Sequence, residues 1–113
     1  FADYINSGKI IEGTLYKIEG IGSDVITGAL DKAVIDEVIT VSDKDSFNRA
    51  RLVARKEGIS CGGSSGAVAL AIEKVAATAD KNDVIVGIFA DSGIRYLTKC
   101  FNDEWMKQQG FLE

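Results

Sequence analysis

The residues with chemistry to offer are few and concentrated. In "SCGGSSGA", residues 60–67, three glycines, three serines and a cysteine stand directly before an apolar run with helical spacing. A strand that ends in glycines and opens a helix leaves backbone N–H groups pointing into the crevice beyond the sheet, where open α/β sheets bind ligands. Gly62, Gly63 and Gly66 would let a flat ligand approach the backbone, while one of Ser64 and Ser65 caps the helix and the other hydroxyl faces outward. Read from the residues alone, Gly20-Ile21-Gly22 is a strand-ending turn, and Asp91, which closes an apolar run, is the cap of the helix beginning near Ile94. The chain has no histidine. Proton transfer is thereby left to Lys, a carboxylate, Tyr or a cofactor. No Lys follows the last glycine, so the turn is no Walker A loop, and spacing excludes the dinucleotide fingerprint. Read alone, the turn is either a capped helix start packed close to a sheet, or the anion nest of a small non-catalytic α/β module that binds a phosphate-bearing metabolite or a protein partner.

The elements that must position these residues follow from the apolar pattern. At 113 residues the chain amounts to one domain, a size that buries roughly two thirds of its unfolded surface. Hydrophobic residues make up 46% and charged residues 27%, a soluble globular composition with no apolar stretch of membrane-spanning length and no visible signal peptide. The net charge of -4, with no basic stripe interleaved with aromatics, argues against nucleic acid. Cys61 and Cys100 lie far apart without a second pair, which suggests neither a metal site nor a disulfide framework and points to a reducing, cytoplasmic compartment. Proline is absent, although average usage would supply roughly five or six. The first residue is Phe1, and a piece of a longer protein is expected.

Residues 1–14 read as the tail of a helix and a loop, "LYKIEG" as a short strand stopping at Gly20, and 37–41 as a β-branched strand after a poorly periodic helical turn. The clearest helix is "SFNRARLVARKE": Asp43 or Asp45 serves as its N-cap, Phe47, Ala50 and Ala54 form its apolar face, and Gly58 stands where a left-handed cap belongs. Arg49, Arg51 and Arg55 read as its solvated face. "ISC" is a brief strand, Ala67 to Ala79 a helix, and "DVIVGIFAD" has the pattern of a strand covered on both faces. Short helices over 94–101 and 104–109 follow, with Gly110 as a stop. Trp105, Met106 and Phe111 read as a terminal packing cluster, Cys61 as a small buried residue, and Arg95 and Lys99 as exposed helix charges. Strands alternating with helices give an α/β fold with a mainly parallel sheet and helices on both faces.

Four motifs in order, "YKIEGIG" (16–22), "EGISCGGSSGA" (57–67), "ADSGIRYLTK" (90–99) and "NDEWMKQQGFL" (102–112), resemble the second half of fold-type II pyridoxal-phosphate enzymes, in particular the cystathionine β-synthase and cysteine synthase family. The resemblance covers nearly the whole chain and implies part of the large domain of a tryptophan synthase β-like fold, with residues 1–113 as the C-terminal portion of the catalytic core. It implies pyridoxal 5'-phosphate as cofactor, Ser64 as the hydrogen-bond donor to the pyridine nitrogen, Gly20, Gly22 and Gly63 along the cofactor and substrate side of the cleft, and Asp91 close behind the nitrogen. The Schiff-base lysine, the asparagine beside the ring hydroxyl and the phosphate cup lie upstream of this region in the family. None of the nine lysines here stands in the family's Schiff-base motif, so no catalytic residue is expected in these 113 residues and the piece alone is expected to be inactive. The chain departs from the family at Ala90 and Thr27, where prolines are usual. The implied reaction is β-replacement, joining L-serine to homocysteine to give cystathionine, because the closing residues look more like cystathionine β-synthases. Cysteine synthase, acting on O-acetylserine and sulfide, is the alternative. The substrates are small amino acids and a homodimer is implied.

Overall fold

The structure, a computed structural model, describes residues 2–9, 15–23 and 25–113. It divides into two compact units, Phe1–Thr40 and Val41–Glu113.

In the first unit, α1 (Ala2–Ser7) ends at Gly8, whose N–H donates to the Tyr4 carbonyl at 2.8 Å. Residues 10–14, part of the expected loop, lie outside the described residues. The "LYKIEG" segment is extended but belongs to no sheet, and it buries Ile18 while leaving Leu15 exposed. A single 3-10 turn, Lys32–Val34, is capped by the Asp31 carboxylate on the Ala33 N–H at 2.9 Å. Lys32 lays its ammonium 3.5 Å from the centre of the Tyr4 ring, and Asn6 Nδ2 donates to the Val38 carbonyl at 3.3 Å.

The second unit is built on two helices, α2 (Asp43–Glu57) and α3 (Gly63–Ala76), packed against each other. The cap of α2 is Ser42, neither Asp43 nor Asp45. Its hydroxyl accepts from the Asp45 N–H at 3.1 Å and donates to the Asp45 carboxylate at 2.6 Å, a reciprocal arrangement of the capping-box kind. Acidic side chains in the first turn and Arg55 and Lys56 in the last complement the helix dipole. Gly58 closes the helix at φ 70°, its N–H on the Ala54 carbonyl at 3.1 Å, as the sequence predicts.

The expected apolar face of α2 is observed at its centre. Phe47 and Ala50 are buried, and the Phe47 ring meets Trp105 edge-on at 5.5 Å and Phe111 at 5.6 Å. Such spacings fall within the favourable range for aromatic pairs. Met106, fully buried, completes the terminal cluster. It is carried by α4 (Asp103–Gln108), capped by Asn102 on the Trp105 N–H at 2.9 Å. Asn48 Nδ2 donates to the Phe111 carbonyl at 3.0 Å, fastening the terminal residues to α2. Only the second of the two expected C-terminal helices forms as an α-helix; the first is a 3-10 turn, Gly93–Tyr96, followed by irregular turns.

Two arginines assigned to a solvated face instead tie elements together. Arg49 pairs with Glu73 of α3, and Arg51 reaches Asp103 and the Cys100 carbonyl, the latter at 2.9 Å. A long side chain reaches across a helix pair while its stem packs, which apolar periodicity does not reveal.

No β-strand forms among the described residues, so the expected parallel sheet is not present there. A single antiparallel bridge joins Cys61 to Ser92. The run from 83 to 90 has no regular secondary structure, and its inner side meets α3: a Cβ on Gly87 would stand 2.4 Å from Ile72 and 2.8 Å from Val68. On its outer side Val84, Val86 and Ile88 are 87%, 83% and 78% exposed. A ladder needs a neighbour at hydrogen-bonding distance, and this segment finds none among the described residues. No helix among them is long and apolar enough to cross a membrane.

Candidate functional site

The serine turn opens α3, but neither serine caps it. Gly62 is the N-cap, and no side chain bonds to the first turn. Ser64 and Ser65 are the second and third helical residues, both buried. The first-turn N–H groups of an α-helix have no intrahelical acceptor, so this end of α3 presents donors and the positive end of its dipole. Ser65 Oγ is buried and without a hydrogen-bond partner among the described residues.

Each glycine of the turn has a packing reason. A Cβ on Gly66 would lie 2.0 Å from the Ser46 carbonyl oxygen, so residue 66 is where α3 rests directly on the backbone of α2. On Gly63 it would strike the Phe47 ring at 2.5 Å. On Gly62 it would lie 2.2 Å from Asp91 Oδ1 and 2.7 Å from Cε2 of Tyr96. The turn is closely packed, but against the helix α2 and the Asp91–Tyr96 segment, where a capped helix start on a sheet was expected.

Asp91 belongs with this turn. Its backbone carbonyl accepts the Gly62 N–H at 3.3 Å, and the Cys61–Ser92 bridge holds the two segments side by side. Asp91 does not cap the following turn. Ser92 does, accepting the Ile94 N–H at 3.4 Å. The Asp91 carboxylate instead accepts the Tyr96 hydroxyl on Oδ2 at 2.7 Å, while Oδ1 is buried with no donor. Ser64, Gly63 and Asp91 are thus brought together in the second unit. Gly20 and Gly22 lie in the first, both at positive φ (87° and 77°) in the turn after Ile18.

Sequence reasoning missed Tyr96. Its contact with Asp91 depends on a 3-10 turn where an α-helix was expected, and no motif announces it. Ser42 did carry a signal, a serine followed three residues on by an acidic side chain. Cys61 is buried as expected, its thiol pushed up by burial and by the nearby Asp91 charge. Burial also pushes the Cys100 thiol up to about 11, against the opposing effect of Arg51. Neither thiol is an activated nucleophile. No group of three or more His, Cys, Asp or Glu among the described residues is placed to hold a metal ion.

What this arrangement offers is a donor-rich helix entrance with two buried serines in its first turn and a carboxylate fixed against its N-cap. The family model described as pyridoxal-phosphate dependent enzyme matches residues 3–91. A cystathionine beta-synthase of Apis mellifera is 44% identical over 98 residues, which are 87% of this chain and 19% of that protein. A cysteine synthase of Buchnera aphidicola is 41% identical over 107 residues, 93% of this chain and 33% of that protein. Among solved structures, an O-ureido-L-serine synthase superposes with a TM-score of 0.77 at 28% identity, over 92% of this chain and 34% of that one. The chain spans about a fifth of the length of the cystathionine beta-synthases it matches.

Proposed function

Because the chain belongs to the pyridoxal-phosphate dependent enzyme family, whose cofactor is pyridoxal phosphate, we propose that residues 1–113 are the C-terminal portion of the catalytic core of a β-replacement enzyme. In this reading the full-length protein joins L-serine to homocysteine, giving cystathionine. The observation that carries it is the entrance of α3, where Ser64 stands buried in the first turn and Asp91 Oδ1 lies against the N-cap Gly62. These residues suit the ring end of the cofactor: a neutral donor, small backbone and no competing cation.

Pyridoxal phosphate, when bound, supplies an electron sink for bonds at the substrate's α and β carbons. Ser64 would be the donor to the ring nitrogen and, being an alcohol, would not transfer its proton. An aspartate in that place would hold the nitrogen protonated and deepen the sink. The milder donor suits loss of a leaving group from the β carbon over side reactions at the α carbon. Gly63 would let the backbone lie close, and Asp91 braces the turn. The exposed face of Val84, Val86 and Ile88 is that of a sheet strand, and the mainly parallel sheet with helices on both faces is completed by the rest of the full-length chain. The same reading takes the protein as a cytoplasmic homodimer with small amino-acid substrates. The 41% identity to a cysteine synthase favours a second substrate pair, O-acetylserine and sulfide.

The test uses the full-length protein. A visible cofactor band that responds to L-serine, with cystathionine found by mass spectrometry after homocysteine is added, supports the reading. Cysteine formed only from O-acetylserine and sulfide moves the assignment to the second pair. Absence of any cofactor band overturns both and leaves the non-catalytic binding module. In the same protein, Ser64→Asp is expected to slow β-replacement and raise transamination; unchanged rates of both would remove the role given to Ser64.

A further inference from the structure

Asp91 has two carboxylate oxygens in two different situations. Oδ2 accepts the Tyr96 hydroxyl at 2.7 Å, while Oδ1 is buried without a donor and lies on Gly62, two residues before Ser64. Tyr96 is itself buried at 8% exposure. Its ring edge and Asp91 Oδ1 both stand within 2.7 Å of where a Gly62 Cβ would be, so the two side chains close over the N-cap of α3. Turning the side chain about its Cα–Cβ bond would break the tyrosine hydrogen bond and carry the carboxylate away from Gly62. The phenol therefore acts as a latch on the orientation of Asp91. A buried carboxylate oxygen with no donor is unfavourable, and what lies beyond the turn it faces is the entrance of α3.

From this geometry we propose that Tyr96 is a positioning residue for the cofactor-ring site, acting through Asp91 on the turn that carries Ser64; the proposal rests on the pyridoxal-phosphate reading above. By occupying Oδ2, Tyr96 holds the Asp91 carboxylate in one place against the N-cap Gly62. With the latch removed, the carboxylate turns, its charge moves relative to the ring, and the turn before Ser64 loses its brace. Hydrogen bonds to charged groups are stronger than neutral ones, so the loss is measurable even though Tyr96 does not touch the ring.

The experiment uses Tyr96→Phe in the full-length protein, a change that keeps the ring and deletes only the hydroxyl. The expected result is a shift of the cofactor's absorption maximum and fluorescence emission, with a cofactor Kd about tenfold weaker, at an unchanged far-UV circular dichroism spectrum. Repeated in an Asp91→Ala background, Tyr96→Phe should then change neither spectrum nor Kd, because the group it acts through is gone. An unshifted spectrum and unchanged Kd in the single variant overturn the proposal. So does an equal effect of Tyr96→Phe with and without Asp91, which would assign Tyr96 to packing alone. If the unsubstituted protein shows no cofactor band, the reading beneath the proposal fails, a result distinct from a band that ignores Tyr96.

Discussion

Replacing Gly66 by alanine sets two opposed effects against each other at the contact that places α3. Within a helix, alanine is favoured over glycine by about 1 kcal/mol. Against this, the new Cβ would stand 2.0 Å from the Ser46 carbonyl oxygen, 2.8 Å from the Ala50 nitrogen and 3.0 Å from the Ser46 carbonyl carbon. All three are backbone atoms of α2, fixed by that helix's own hydrogen bonds, and none can rotate aside. Ordinary contact begins at 3.4 Å, so the helices must part by on the order of 1 Å, loosening the packing around Phe47 and Ala50. Overpacking of this kind costs about 1–3 kcal/mol, with the upper end applying where backbone must move. Net destabilisation of about 2 kcal/mol is expected after the helix gain. Urea unfolding of the full-length protein followed by circular dichroism measures it. Gly28→Ala serves as the control, since an added Cβ there meets nothing within 4 Å and surface changes stay within about 0.5 kcal/mol. Because Ser64 rides on the same helix, a displacement of about 1 Å should also lower kcat/KM about a hundredfold. A Gly66→Ala protein as stable as the unsubstituted one would refute the direct rest of α3 on α2.

Phe47→Ala should destabilise by about 3–5 kcal/mol, since it removes the ring shared by Trp105 and Phe111; thermal unfolding and near-UV circular dichroism report the loss. Ser42→Ala should cost about 1 kcal/mol through the lost cap of α2, read from the urea midpoint. The buried thiols give a pH dependence with a definite sign. Cys100 is raised from 9.0 to about 11 in the folded state, so its contribution is fully present below pH 9 and is lost as pH rises from 9 through 11. The unfolding free energy should fall across that window, and the fall should be shallower in Cys100→Ala.

Where a signal is local, the sequence announces the structure. Gly58 ends α2 because one residue's left-handed backbone decides it, and the aromatic terminal cluster follows from apolar spacing alone. The start of α2 was legible but misjudged: two aspartates competed for a cap that the serine before them fills, a hydroxyl reaching both donor and acceptor of Asp45. The expected sheet does not form among the described residues, because a strand is a relation between segments. The pattern of 83–91 describes a face, and no partner strand lies beside it among the described residues. At the site, the glycine and serine turn was found for its backbone donors, while Tyr96 escaped notice because a contact made through a 3-10 turn leaves no periodic trace. Arg51 escaped similarly, its stem buried and its head on a carbonyl of a distant loop.

The outward row of Val84, Val86 and Ile88 carries a consequence for handling and for biosynthesis. Three exposed β-branched side chains in alternation, on a segment with no strand paired to it among the described residues, form a template onto which another chain can add. Expressed by themselves, these 113 residues should therefore lose solubility steeply with concentration, one copy stacking on the next. In a longer polypeptide the same stretch has to be sequestered soon after it leaves the ribosome, before a neighbouring nascent chain reaches it.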